Sequence, residues 1–244
     1  MRYLRKLKQG LGRFVIPRLP VNRRTFGILR YEFGSIARTL LNAANPHHHI
    51  RVHRLRRAPD LSLNIGSGAF GLEGWVNMDT DYVHPSITLA LDVRRGLPFR
   101  DNQARRIFSE HAVEHLDFHQ DIPALFDEFY RVLAHGGALR IIVPDGARFL
   151  KAYASGSKQD FAALGWNLDA LPGDIYTPMH IINHIFHQGG EHLFAWDFET
   201  MELMLRRAGF SDIRQRQFRE SADPELAIDL KVHEPYSLIV EAVK

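Results

Sequence analysis

The sequence predicts an α/β protein: a seven-stranded, mostly parallel sheet with helices on both faces, preceded by a basic helical arm. Three observations predict this class. Short apolar runs, each closed by a glycine or an acidic residue, recur from residue 61 onward. Amphipathic segments separate most of these runs, and the first 60 residues differ sharply in charge from the rest. Alternating strands and helices typically form a parallel sheet that helices cover.

Seven segments have the composition and length of strands. They are residues 61–65, 75–78, 87–91, 106–108, 138–143, 211–218 and 236–243. Two amphipathic helices are predicted between them. Asp121 should cap the first, which should stop at Gly136, and Asp197 should cap the second, which should stop at Gly209. We expect the apolar stripes of both helices to cover the sheet.

The charge divides the chain into a basic N-terminal extension, residues 1–59, and a main domain, residues 60–244. Residues 1–60 contain 14 Lys/Arg and 2 Asp/Glu, whereas the remainder contains 17 Lys/Arg and 26 Asp/Glu. Apolar residues at helical spacing predict a basic helix near residues 4–14 and a second helix over residues 26–40. Residues 1–24 could contact an anionic membrane or a nucleic acid, or pack on the protein's own core or a second subunit. His47, His48 and His49 are expected in a loop without a metal role.

The composition excludes some chemistry. The chain has no cysteine, which excludes disulfides, thiolate nucleophiles and cysteine-ligated zinc, and fits a cytoplasmic protein. No apolar run approaches the roughly 20 residues of a membrane-spanning helix. We therefore expect a cytoplasmic protein, with peripheral contact to the inner membrane face through the basic arm.

A glycine-rich turn follows the first strand. Gly66-Ser67-Gly68-Ala69-Phe70-Gly71 matches the G-x-G-x-x-G pattern of nicotinamide enzymes, in which a helix opens at the third glycine. Here Gly74 follows at once, and Asp79 lies only 13 residues after Gly66. The chain between Gly66 and Asp79 is too short to contain a pyrophosphate-binding helix. The sequence therefore predicts a cofactor without pyrophosphate.

Two glycines and two acids have definable roles in such a site. Gly66 and Gly68 have no side chain, so the backbone can approach a cofactor closely. Asp79, at the end of the second strand, can accept hydrogen bonds from ribose hydroxyls. The alternative for Asp79 and Asp92 is a turn or a helix cap.

Four segments of the chain resemble the class I methyltransferases: residues 63–79, 92–99, 109–116 and 128–145. The resemblance is strongest to a bacterial group in which a glycine-rich loop precedes Gly-Trp-Val/Ile-Asn-x-Asp. Its most specific stretch is Phe-Tyr-Arg-Val-Leu-Ala-His-Gly-Gly, residues 129–137. The resemblance implies a Rossmann-like sheet and the cofactor S-adenosylmethionine.

The resemblance also assigns site residues. Asp92 and Val93 would border the adenine, with Asp92 accepting a hydrogen bond from its exocyclic amine. The rest of the predicted cofactor set lies at the ends of the first and fourth strands: Asn64, Ser67, Ser109 and Glu110.

Histidines are the candidate catalytic groups. A hydroxyl acceptor requires a general base, and histidine titrates near neutral pH. His111 and His115 follow the fourth strand, with Glu114 between them. His192 lies in residues 146–195, an insertion that the resemblance places over the acceptor pocket. We name His111, His115 and His192 as catalytic candidates, with His111 or His192 as the base.

A second histidine pair, His180 and His184, has the i, i+4 spacing of metal ligands on a helix. Apolar residues interleave with the pair, which favours a packed helix, and no metal site is predicted. The resembled group often accompanies surface-polysaccharide assembly, which implies O-methylation of a sugar or glycan precursor, or of another small molecule. The alternatives are an RNA methyltransferase that uses the basic arm and a non-catalytic scaffold subunit.

Overall fold

The computed structural model describes residues 23–80 and 84–244. Seven strands form one sheet: β1 (Leu61–Ile65), β2 (Val76–Asp79), β3 (Leu89–Ala90), β4 (Ala104–Glu110), β5 (Leu133–Pro144), β6 (Ser211–Gln215) and β7 (Ser237–Val243). Their order is β3-β2-β1-β4-β5-β7-β6. The strands β3, β2, β1, β4 and β5 pair in parallel, and β7 runs antiparallel to both β5 and β6. The predicted seven-stranded, mostly parallel sheet is confirmed.

Seven helices accompany the sheet within the described residues. They are α1 (Arg23–Ala44), α2 (Pro46–Leu55), α3 (Ile122–Val132), α4 (Gly146–Ser155), α5 (Lys158–Ala163), α6 (Pro178–His187) and α7 (Phe198–Arg207). Between β1 and β2 the chain makes turns only, as the short spacing predicted.

The sheet has a larger and a smaller apolar face. On the larger face, Leu63, Ile107 and Ile141 pack with buried residues of α3 and α7 such as Phe126 and Met201. On the opposite face a smaller cluster forms around Phe108, Ile142, Leu226 and Ile239. Burial of these strands on two faces explains why their sequences read as nearly continuous apolar runs.

Helix α3 differs from its prediction at both ends. Asp121 stands at the N-cap position, but its side chain caps no helical N–H. Its Oδ2 instead accepts a hydrogen bond from the Asp117 amide at 3.0 Å. The helix ends at Val132, and Gly136 (φ 75°) turns the chain after β5 has begun. For α7 the predicted cap is correct, since Asp197 Oδ1 accepts from the Thr200 amide at 2.9 Å.

The histidines at 47–49 were also misplaced, because they lie in α2 and not in a loop. Asn45 caps α2 by accepting from the His47 amide, and Pro46 occupies its first turn. This Asn-Pro start is a common helix signal, which the histidine run obscured in the sequence.

The basic extension is partly described. The helix predicted over residues 26–40 lies within α1. The helix predicted near residues 4–14 and its membrane contact, residues 1–24, lie outside the residues whose side chains are described. No helix in the described part is long and apolar enough to cross a membrane.

Candidate active site

The glycine turn after β1 positions the backbone at the carboxyl ends of β1 and β2. Gly66 and Gly68 both have positive φ, 69° and 49°. A Cβ on Gly66 would lie 2.3 Å from Cβ of Ala112, so a side chain there would clash with the segment after β4. The Gly68 amide donates to Asp79 Oδ2 at 2.8 Å. The turn and the acid of β2 are therefore fixed against each other.

A cavity of about 330 Å³ opens beside this turn. Four residues of the predicted cofactor set line it: Gly66, Gly68, Asp79 and Val93. Further wall residues are Tyr31, Ile65, Thr80, Leu91, Val113 and Leu125. The cavity thus combines one carboxylate, exposed glycine backbone and an apolar slot.

Asp92 does not line this cavity, and its predicted contact with the adenine stays a prediction. Its side chain is buried, with a residue exposure of 4%. The carboxylate accepts a hydrogen bond from the Ser35 hydroxyl, from the Arg94 amide at 3.0 Å and from the Arg94 guanidinium at 2.7 Å. Burial by itself raises the pKa of Asp92, but these bonds together lower it below the ordinary value. Asp92 also caps the 3₁₀ turn that follows it, as the helix-cap alternative expects.

Asn64 and Ser67 also lie behind the wall. Asn64 Nδ2 donates to Asn77 Oδ1 at 2.9 Å and to the Phe70 carbonyl at 3.2 Å. Asn64 therefore holds the glycine turn in shape and does not line the cavity. Ser67 is buried, its amide donates to the Met78 carbonyl at 3.0 Å, and its hydroxyl has no hydrogen-bond partner.

Ser109 and Glu110, at the end of β4, likewise do not line this cavity. Ser109 is buried, and its hydroxyl has no hydrogen-bond partner in the structure. Glu110 points to the other side of the strand, where it pairs with His233 Nδ1 at 2.9 Å. It also accepts from the Leu230 amide at 3.1 Å. Glu110 therefore anchors the segment before β7.

A second cavity, of about 460 Å³, adjoins the first. His111 and His115 line both cavities. The second cavity also contains Glu114, His192 and His233. Its other polar and aromatic walls include Trp166, His184, Gln188 and Tyr236. The predicted catalytic histidines thus meet at one place, although residues 111 and 192 are far apart in sequence.

His111 occupies a strained position at this junction. Its φ is 50°, a left-handed conformation that is uncommon for residues other than glycine. Its Nε2 lies 2.8 Å from the Ser237 hydroxyl, and its Nδ1 lies 3.2 Å from Glu114 Oε1. The ring packs 3.9 Å from that of His233, centroid to centroid. These contacts orient His111 between a hydroxyl and a carboxylate.

His115 and His192 are oriented by backbone carbonyls. His115 Nδ1 lies 3.0 Å from the Glu191 carbonyl oxygen, and His192 Nδ1 lies 2.6 Å from that of Ile185. Their rings meet edge to face, with centroids 4.9 Å apart. Burial lowers the pKa of His192, which favours a neutral ring.

The other histidines of the insertion lie elsewhere. His180 and His187 line a separate cavity near the surface, which His184 borders as well. His180 Nδ1 accepts from the Tyr176 amide at 3.1 Å, and the ring of His184 packs against Trp166. The interpretation of α6 as a packed helix agrees with the burial of Ile181 and Ile182.

Sequence reasoning missed two residues of the site. Tyr31, from α1, reaches the first cavity from the basic extension, which the sequence treated as a separate unit. Burial, followed by the charge of Asp92, raises the pKa of Tyr31 to about 12, so its hydroxyl stays protonated. Glu114 was noticed but not assigned, because a single glutamate between Val113 and His115 gives no local signal of its surroundings.

The first cavity fits S-adenosylmethionine. Asp79 offers a carboxylate to ribose hydroxyls, and Gly68, with no atom within 4 Å of a Cβ position, leaves backbone accessible. Leu91 and Val93 offer an apolar slot that suits an adenine ring. The residues present at the turn therefore match the chemistry of this cofactor.

Comparisons with known proteins agree with this fit. Residues 75–141, about a quarter of the chain, match a family model described as a methyltransferase domain. That range contains β2, β3, β4, α3 and most of β5, and includes Asp79 and the residue 111–115 segment. A comparison with curated protein sequences finds no significant match.

Solved structures match this chain at low identity and with TM-scores below 0.5. A methyltransferase from Archaeoglobus fulgidus has 15% identity and a TM-score of 0.47, over 90% of this chain and 99% of that one. One from Mesorhizobium loti has 16% identity and a TM-score of 0.48, over 79% and 95%. Phosphoethanolamine N-methyltransferase 2 from Haemonchus contortus has 13% identity and a TM-score of 0.44, over 82% of this chain. The present chain spans about half the length of that last protein, 53%.

Proposed function

We propose that this chain is an S-adenosylmethionine-dependent methyltransferase and that it methylates a hydroxyl group of a sugar, a glycan precursor or another small molecule. One observation carries the proposal: the cofactor cavity and the larger cavity share His111 and His115 as walls. An acceptor in the larger cavity would therefore lie next to the methyl donor, with histidines at the point of contact.

The walls of the larger cavity suit a small polar acceptor. Its volume, about 460 Å³, lies within the range of small-molecule sites. Trp166 and Tyr236 offer aromatic faces, whereas Gln188 and His184 offer hydrogen-bonding groups. Aromatic rings beside polar groups match the alternating apolar faces and hydroxyl edges of a sugar ring.

The acceptor's hydroxyl must lose a proton during methylation, and the chain has two candidate bases. S-adenosylmethionine supplies the activated methyl group on a sulfonium, so the protein's main tasks are alignment and proton removal. His111 has a carboxylate on one ring nitrogen and a hydroxyl on the other. His192 is buried, and its lowered pKa favours the neutral form that can accept a proton. Glu114 faces both rings and would stabilise a histidine that has taken up the proton.

The sugar class and the membrane contact extend this proposal. The bacterial group that the chain resembles often accompanies surface-polysaccharide assembly, whose lipid-linked precursors lie at an anionic membrane face. Contact of residues 1–24 with that face would bring the active site to such a precursor.

The test is methyl transfer from isotopically labelled S-adenosylmethionine to a panel of acceptors. The panel contains nucleotide sugars, lipid-linked sugars, small phenols, amines and RNA oligonucleotides. We expect label in hydroxyl groups of one sugar class. We also expect the His111→Ala/His192→Ala double variant to lose at least about 100-fold in kcat, the scale of general-base catalysis.

The matched control is His135→Ala, an exposed histidine near the start of β5 and far from the strand's carboxyl end. It should turn over like the wild type. Label in amines or RNA alone would refute the hydroxyl acceptor. Full turnover by the double variant would refute the histidine base.

A further inference from the structure

A buried carboxylate on the wall of the larger cavity has His111 as its ion-pair partner and no hydrogen bond of good geometry. Glu114 lies in the 3₁₀ turn Val113–His115, and its exposure is 1%. Neither of its carboxylate oxygens has a hydrogen-bond partner in the structure. The ring of His111 is the neighbouring group that could carry a positive charge, with Nδ1 3.2 Å from Oε1. Burying an ionised carboxylate without good hydrogen bonds is costly, and a bound ion or a catalytic role is among the explanations for such a group.

The tautomers of the two neighbouring histidines follow from their backbone contacts. The Nδ1 atoms of His115 and His192 each approach a backbone carbonyl oxygen, at 3.0 and 2.6 Å. A carbonyl oxygen only accepts, so each Nδ1 carries the hydrogen. In the neutral ring the lone pair then lies on Nε2. A carbonyl that orients the remote nitrogen is the usual second contact of a metal-binding histidine.

The three side chains converge. One ligand atom from each of Glu114, His115 and His192 lies within 4.8 Å of the other two, and within residues 23–80 and 84–244 no other three such residues do so. Backbone hydrogen bonds hold the two segments together, since the Glu114 carbonyl accepts from the Leu193 amide at 2.8 Å. The cluster is therefore built by tertiary structure around an open junction.

We propose that Glu114, His115 and His192 bind a divalent transition-metal ion. Two imidazoles and one carboxylate suit Zn²⁺, Fe²⁺, Co²⁺ or Mn²⁺ and leave coordination positions open. A set with one carboxylate suits Ca²⁺ and Mg²⁺ poorly, because these ions prefer oxygen ligands. Bond lengths of about 2.0–2.2 Å bring ligand atoms to within about 4 Å of each other. The separations within the cluster are therefore close to those that an ion requires.

An ion at this position would act on the acceptor. Glu114, His115 and His192 all line the larger cavity, so the open coordination positions face the space of the acceptor. An acceptor oxygen bound there is polarised and gives up its proton more readily. This use of the ion rests on the proposed function.

The experiment measures metal binding without cofactor or acceptor. Full-length protein is stripped with a chelator and dialysed, and is then titrated with Zn²⁺ by calorimetry and with Co²⁺ by visible absorption. We expect one tight site per chain, ligand-field bands typical of bound Co²⁺, and a rise in Tm with Zn²⁺ because the ion binds the folded state. In Glu114→Gln and His192→Ala, the affinity for Zn²⁺ should fall at least about 10-fold. Residues that only support a metal ligand already cause losses of this size when they are replaced, and these two side chains are ligands themselves.

The matched control is His184→Ala, which removes a histidine from the same cavity but not from the cluster. Its metal affinity should equal that of the wild type. Glu114→Gln also removes the buried charge, so its folding must be checked. If this variant has the Tm of the wild type in the presence of chelator, its loss of metal binding is not due to misfolding.

Absence of a Zn²⁺-dependent Tm shift in the wild type would overturn the proposal. Equal binding by the wild type and both variants would also overturn it, since the ion would then lie elsewhere, for example at His47–His49. Because no methyl acceptor is used, the metal site can fail while methyl transfer stands. The reverse result, tight metal binding with no sugar methylated, would refute the proposed acceptor and leave the metal site intact.

Discussion

At the scale of single residues, two acids with similar sequence signals have different roles. Asp79 and Asp92 each follow a short apolar strand. Asp79 lies on the wall of the cofactor cavity, with one oxygen bonded to the Gly68 amide. Asp92 is buried under α1, where Ser35 and Arg94 surround its carboxylate. Substitutions at the two positions should therefore affect different properties.

Replacing Asp79 should weaken cofactor binding. Asp79→Ala removes an acceptor for ribose hydroxyls, and hydrogen bonds to charged groups contribute about 1.5–3 kcal/mol. We expect the Kd for S-adenosylmethionine and S-adenosylhomocysteine to rise about 10- to 100-fold in calorimetric titration. NADH should not bind to either protein.

Asp127→Ala is the matched control, because Asp127 is exposed on α3 away from the cavity. Its Kd should be that of the wild type. If Asp79→Ala binds the cofactor normally, Asp79 is only a partner of the glycine turn.

At the scale of elements, α1 packs on the main domain and contributes to the wall of the cavity beside the glycine turn. Tyr31 lines the cofactor cavity, Glu32 pairs with Arg94 at 2.7 Å, and Ser35 bonds to Asp92. Asn42, at the other end of the helix, donates to the Ala90 carbonyl at 2.7 Å. The charge contrast in the sequence separates residues 1–59 from the main domain, whereas in the structure α1 contacts that domain at both of its ends.

Arg94 connects α1 to the sheet, so its loss should loosen this helix. Arg94→Met leaves the buried Asp92 without its cation, and breaking a buried pair in this way costs about 3–5 kcal/mol. We expect a lower free energy of unfolding in urea, faster hydrogen exchange within α1 and weaker S-adenosylmethionine binding.

The control is Arg206→Ala, which removes the exposed i, i+4 pair with Glu202. Such pairs contribute at most about 0.5 kcal/mol. Equal destabilisation by the two substitutions would contradict a special role for Arg94.

At the scale of the whole molecule, paired carboxylates join distant segments. Asp223 is bound by Arg106, and Arg106 also reaches Glu225. Burial alone raises the pKa of Asp223, but its pairing with Arg106 lowers it overall. The hydrogen bond from Arg131, with a smaller opposing contribution from burial, lowers the pKa of Glu128. With Asp92, these groups link the sheet to α1, to α3 and to the segment before β7.

Stability should therefore fall in acid. A carboxylate whose folded pKa is lowered stabilises the protein above its unfolded pKa, and this contribution is lost as the pH falls through the folded pKa. Ordinary Asp and Glu pKa values are about 3.9 and 4.3. In urea unfolding, we expect these groups to make the free energy of unfolding depend little on pH near neutrality. Below about pH 4 the free energy of unfolding should decrease steeply.

Glu128→Gln provides the comparison, since it removes one of these groups. It should be less stable than the wild type at pH 7, and its unfolding free energy should depend less steeply on pH below 4. Equal slopes for the two proteins would show that the pairing of Glu128 with Arg131 does not stabilise the fold.

The fold and half of the cofactor site were predictable because their signals are local. Strand periodicity, the Gly66–Gly71 turn and Asp79 at the end of β2 each depend on a few neighbouring residues, and the parallel sheet brings these strand ends together. Asn64, Ser67, Ser109 and Glu110 were assigned by proximity to the same strand ends. Since alternate residues of a strand point to opposite faces, proximity in sequence did not place their side chains on the cavity.

The sequence by itself determined the order of strands and helices and the glycine turn without a pyrophosphate-binding helix, and it predicted the enzyme class that we propose. Only the tertiary structure decided that Asp92 binds Ser35, that Tyr31 closes the cofactor cavity, and that His192 meets Glu114 and His115. The physical reason is the range of the contacts. Backbone conformation and periodicity are set by neighbouring residues, whereas the partners of a buried charge are set by how distant segments pack.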